Sequence, residues 1–111
     1  MNNIINNAFS TKMLLGNIGD EFLTRFTIIS EDEFRDAIRK DSKIVIGHQD
    51  TADYFGVKMN RETIHLDGNT TLYVCEANCR DGGRLPSGTE FLEQMGKDFY
   101  FRFIKVELGI L

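Results

Sequence analysis

The chain predicts an α/β fold of the α+β kind. It reads as one mixed sheet of about five or six strands flanked by short helices, in a single domain over residues 1–111. Three observations lead there. Apolar runs with strand periodicity alternate with segments of helical periodicity along the whole sequence. The stretch Phe99 to Leu108 places Phe99, Phe101 and Phe103 on one face and Ile104, Val106 and Leu108 on the other, the pattern of an interior strand covered on both sides. Ser30-Glu31-Asp32-Glu33 forms a capping box ahead of Phe34, Ala37 and Ile38, so a helix starts at residue 31 and runs toward Lys40.

The remaining elements follow in order. Ile4 to Ala8 reads as a first strand, with Asn6, Asn7 and Ser10 supplying polar groups where it ends. Thr11 to Leu15 is a helical turn closed by Gly16, and Glu21 to Ile29 is a strand rich in Phe, Thr and Ile. Ile44 to Ile46 is a short buried strand. Gly47 and His48 follow it, and then a helix with Asp50 and Thr51 in its first turn, stopped at Gly56. Glu62 to Leu66 alternates as a half-buried strand and turns at Asp67-Gly68-Asn69 into Thr71 to Ala77, a hairpin pattern. A loop, NCRDGGRLPSG, precedes a helix from Thr89 to Met95 that packs through Phe91, Leu92 and Met95.

Composition bounds the function. With 41% apolar and 27% charged residues the chain is an ordinary globular domain. A formal charge of -4 and a pI near 5.1 argue against sequence-independent binding of long nucleic acid. A small anion in a local basic pocket is compatible with that balance. The polar start, MNNIINNAFS, is unlike a signal peptide, and no apolar run approaches the roughly 18 residues of a membrane span. A cytoplasmic location is expected. Cys75 and Cys79, if both are in an extended strand, stand about 13 Å apart at roughly 3.3 Å per residue, too far for a disulfide. Their spacing to His48 and His65 fits no compact metal-ligand motif, so no metal or other cofactor is expected. His65 alternates with Ile64 and Leu66 and is expected to face outward without a role.

The candidate chemistry lies between Ile44 and Arg61. An imidazole at a strand-to-helix turn stands near free backbone N–H groups, where an anionic ligand is favoured. The same His48 also suits a packing role held by hydrogen bonds. The glycine-rich loop, with Arg80 and Arg84, can offer backbone N–H groups and guanidinium forks to phosphate, or act only as a connection.

Four segments, NNAFSTKML from Asn6, IGHQDTA from Ile46, NR at Asn60 and Arg61, and GRLPSG from Gly83, together resemble a family. They are similar, in the same order, to the small virus-encoded ring nucleases that act as type III anti-CRISPR proteins. The resemblance implies a homodimer that binds cyclic tetra-adenylate at its interface and cuts it to linear di-adenylate by attack of a ribose 2′-hydroxyl, without metal. It implies catalytic roles for His48, as general acid, and Arg84, as phosphate clamp. It further implies ligand contacts from Asn7, Ser10, Arg61, Ser87 and Gly88, with Arg61 equally able to anchor the fold. Two departures stand out. Ser87 occupies the position where many members carry a glutamate, with Glu90 two residues beyond the serine-glycine pair as a possible substitute. The segment between His48 and Arg61 is shorter than in the archaeal virus members. Loss of the glutamate leaves two alternatives beside the full enzyme: a slower one, or a sponge that binds the ring without cutting it. A structural or interaction protein is the remaining alternative.

Overall fold

The structure, a computed structural model, describes residues 2–40, 42–68, 70–79, 85–86 and 88–110. Arg80, Arg84 and Ser87 lie outside the described residues. Five strands, β1 (Asn2–Asn6), β2 (Phe22–Ile29), β3 (Ser42–Val45), β4 (Thr70–Cys79) and β5 (Phe99–Ile110), form one mixed sheet in the order β2-β5-β4-β1-β3. The pairs β1–β3 and β1–β4 are parallel, and β2–β5 and β4–β5 are antiparallel. Three helices, α1 (Glu31–Arg39), α2 (Gln49–Phe55) and α3 (Thr89–Gln94), connect them.

The expected interior strand is β5, flanked by β2 and β4. Its alternating faces separate two cores. On one face Phe103 joins Ile5, Ile29, Phe34, Ala37, Ile46, Ala52 and Phe55, brought by β1, β2, α1 and α2. Phe34, fully buried, packs its ring 5.1 Å from that of Phe55 and 5.0 Å from that of Phe103. On the other face Val106 and Leu108 join Ile4, Val45, Ile64, Leu66, Leu72 and Val74. Helix α1 begins as the capping box predicts, the Ser30 hydroxyl accepting the Glu33 backbone N–H at 3.1 Å. Gly56 ends α2 in the left-handed conformation, φ 69°, which favours glycine.

Three expectations are corrected. Glu62 to Leu66 forms no hairpin with β4, because both edges of β4 are already taken by β1 and β5. The segment instead crosses the second face, burying Ile64 and Leu66, and makes a single bridge to Leu14. In α3, Phe91 is buried while Leu92 is 65% exposed: a six-residue helix turns only one narrow side to the sheet. The first strand begins at Asn2 and ends at Asn6, two residues ahead of the expected Ala8.

The second face is incompletely covered. Phe26 and Ile28 of the edge strand β2 are 59% and 70% exposed, although they stand opposite Val106 and Ile104 on the same side as the second core. Together with Phe9, Val74, Ile104 and Val106 they line an open hollow of about 450 Å³. The ion pair Arg102–Glu76, 2.8 Å, stands at its margin. Phe34→Ala should lower the unfolding free energy by about 3–5 kcal/mol, read by chemical denaturation, since it empties the centre of the helical face. A loss under about 1 kcal/mol would show that the helices do not depend on that ring.

Candidate functional site

Because β1, β3 and β4 run parallel, their C-terminal ends share one end of the sheet, where ligands of open α/β sheets are commonly held. Asn7 follows β1 there, and Gly47 and His48 follow β3. The backbone of Gly47 is held on both sides. Its N–H donates to Asn7 Oδ1 at 3.0 Å, and its carbonyl accepts from Arg61 Nε at 3.0 Å. Asn60 stitches the same turn, its N–H donating to the Ile46 carbonyl at 2.9 Å. Arg61 thus anchors the fold through Nε. Its outer guanidinium nitrogens make no hydrogen bond among the described residues and its side chain is exposed.

His48 is the N-cap of α2, a role usually filled by Ser, Thr, Asp or Asn. Its Nδ1 accepts the Thr51 backbone N–H at 3.2 Å and lies 2.9 Å from Thr51 Oγ1. The half-buried ring leans on Phe91 of α3, centroids 5.5 Å apart. Phe91 in turn packs on Phe99 and Phe101 of β5, so the imidazole is backed by the aromatic core. Asp50 Oδ2 accepts the Gly88 N–H at 3.0 Å, and Gly88, at φ 65°, has a backbone that disfavours other residues. The described end of the glycine-rich loop is therefore tied to the first turn of α2. A hollow of about 180 Å³ lies beside this contact, between α2 and α3.

The structure brings Asn7, His48 and Arg61 together around Gly47 and ties Gly88, the N-cap of α3, to the first turn of α2. Among the described residues no hydrogen bond joins Ser10 to that group. Its hydroxyl accepts the Lys12 N–H at 3.2 Å and caps a 3-10 turn, just after Phe9, whose ring meets Phe26 on the open face. Asp50 was missed as a site contact in the sequence; its neighbour relation to Gly88 spans 38 positions and carries no local signal. Cys75 and Cys79 both lie in β4 as free thiols, and burial pushes the Cys75 thiol up to about 12, which removes it as a nucleophile at neutral pH. His65 is exposed. Among the described residues no group of three or more His, Cys, Asp or Glu side chains converges as metal ligands. Nor is any helix there long and apolar enough to cross a membrane.

The architecture defines a small α+β domain with a five-stranded mixed sheet and a polar cluster at the end where its parallel strands finish. The same fold occurs in B116 of Sulfolobus turreted icosahedral virus (STIV), with a TM-score of 0.68 over 96% of this chain and 99% of that one. At 16% identity the likeness is one of fold. No protein-family model and no curated protein matches the chain.

Asn7→Ala should lower stability by about 1–3 kcal/mol, since it strips the half-buried Gly47 N–H of its acceptor. Urea unfolding measures this, and an unchanged midpoint would show that Asn7 does not hold the turn.

Proposed function

We propose that this chain is a viral protein that cuts cyclic tetra-adenylate into linear di-adenylate as a metal-independent ring nuclease, working as a homodimer. The observation that carries the reading is the meeting of Asn7, His48 and Arg61, from three separate segments of the family resemblance, around one strand-to-helix turn. The fold shared with a viral protein supports the viral part.

In the reaction, a ribose 2′-oxygen attacks the adjacent phosphorus in line and its proton passes to solvent. The bond from phosphorus to the 5′-oxygen breaks, leaving a 2′,3′-cyclic phosphate. His48 gives the leaving 5′-oxygen its proton, a contribution of about 10²- to 10⁴-fold. Arg84, placed by sequence, and the outer nitrogens of Arg61 stabilise the charge on the phosphoryl oxygens. Ser10, Ser87 and Gly88 complete the ligand contacts in this reading.

The partner is a second copy, docked through the open sheet face. Phe26 and Ile28 supply an apolar patch that water otherwise meets. The adjoining Arg102 and Glu76 carry opposite charges, so a two-fold contact lets each pair with its counterpart across the axis. The same operation gives two copies of His48 and of the site arginines to a ring with matching symmetry, which reconciles a basic ligand site with an acidic chain.

Wild-type protein with cyclic tetra-adenylate and a chelator should yield linear di-adenylate by chromatography, and His48→Ala should lose at least about 100-fold in rate while still binding. An intact ring after many hours refutes the enzyme. Binding without product would select the sponge, for which Ser87 in place of glutamate is the favouring feature, and Ser87→Glu should then raise activity. Ile28→Glu should convert the dimer into a monomer by light scattering after gel filtration. A variant that stays dimeric would place the interface elsewhere.

A further inference from the structure

Among the described residues Thr51 is one of four buried polar ones, 1% exposed, and both its backbone N–H, at 3.2 Å, and its hydroxyl oxygen, at 2.9 Å, stand against the same ring nitrogen, Nδ1 of His48. A neutral imidazole has a single unprotonated nitrogen that accepts and one N–H that donates. Were the proton on Nδ1, it would face the Thr51 backbone N–H, and the cap of α2 would be lost. The cap therefore selects the tautomer with the proton on Nε2, the nitrogen turned away from α2. The hydroxyl differs from the backbone N–H in one respect: it can rotate and accept. When the ring is an imidazolium, its Nδ1–H has the Thr51 oxygen at 2.9 Å as acceptor.

We propose that Thr51 is a positioning residue for His48: it holds Nδ1 free of protons in the neutral ring, leaves Nε2 as the atom that meets the ligand, and turns its hydroxyl to accept Nδ1–H when the ring is charged. The catalytic part rests on the reading of His48 as the general acid; the tautomer part does not. A side chain that caps a helix with one nitrogen is fixed in rotation about its own bonds, so Nε2 is aimed by α2 rather than by the ligand. Phe91, packed on the ring face, limits the remaining freedom. The charged groups on the elements around the ring are Asp50 and Asp53 of α2, Arg61 beyond Gly47, and Glu90 and Glu93 of α3, and the variants below leave all of them in place.

The test compares wild type, Thr51→Val and Thr51→Ser. Val keeps the volume and the backbone N–H cap; Ser keeps the hydroxyl. Nitrogen-resolved NMR of the ligand-free protein, with His65→Gln to assign the two histidines, should show neutral His48 with a pyridine-like Nδ1 and a pyrrole-like Nε2. At acidic pH the imidazolium Nδ1–H should be protected from exchange in wild type and Thr51→Ser, and lose that protection in Thr51→Val. In cleavage of cyclic tetra-adenylate, Thr51→Val should lower kcat about 10- to 100-fold with KM within about twofold, and Thr51→Ser should recover most of it. A neutral ring protonated on Nδ1, or equal Nδ1–H exchange in wild type and Thr51→Val, overturns the proposal whether or not the protein cuts the ring. So does a Thr51→Val enzyme with wild-type kcat. The expected spectra from a wild-type protein that leaves the ring whole would instead refute the nuclease reading and the catalytic part, with the tautomer assignment upheld.

Discussion

The backbone of Gly47, gripped by Asn7 on its N–H and by Arg61 on its carbonyl, is the constraint on which the polar end of the molecule depends. At this point β3 stops pairing with β1, and two backbone groups that would have continued the ladder need other partners. Side chains from the end of β1 and from the segment after α2 supply them. Their bonds fix the direction in which the chain leaves the sheet, and so fix where α2 starts. His48 then caps the helix it precedes, and its ring is aimed by the backbone rather than by a loop.

The unequal covering of the sheet is the second determinant. The face that carries Phe99, Phe101 and Phe103 is filled by aromatic rings from α1, α2 and α3, ending in Phe91 against His48. Such a chain of packed rings has little room to rotate, which stiffens the imidazole at its end. The opposite face is covered by irregular segments around Leu14 and Leu66, which reach β1, β4 and part of β5 but leave Phe26 and Ile28 in water. The described residues thus combine a tightly packed support for His48 with an exposed apolar surface at the opposite face.

Local chemistry made much of the fold legible in the sequence. Ser30 and the acidic turn after it announced α1, Gly56 ended α2, and the two-faced pattern of Phe99 to Leu108 identified the strand with neighbours on both sides. What escaped is non-local. The hairpin expected at Glu62 to Leu66 failed because strand pairing is a competition, and β1 and β5 had already occupied β4. His48 was legible as a residue at a strand-to-helix turn, but not as the cap itself, since propensity favours Asp50 or Thr51 for that task. Arg61 reaches a carbonyl 14 positions back and Asn7 an N–H 40 positions ahead, and no periodicity encodes either bond. Arg84 and Ser87 were assigned by resemblance alone and lie outside the described residues.

The central claim is that the end of the sheet where β1, β3 and β4 finish is the ligand site. Mapping backbone amide shifts during titration with cyclic tetra-adenylate tests it most directly. The account predicts that Asn7, Gly47, His48, Arg61 and Gly88 move together and saturate, with the exposed side of α1 unchanged. Saturable shifts confined to α1 or to the far ends of β2 and β5, or no shift at any concentration of the ring, would contradict it.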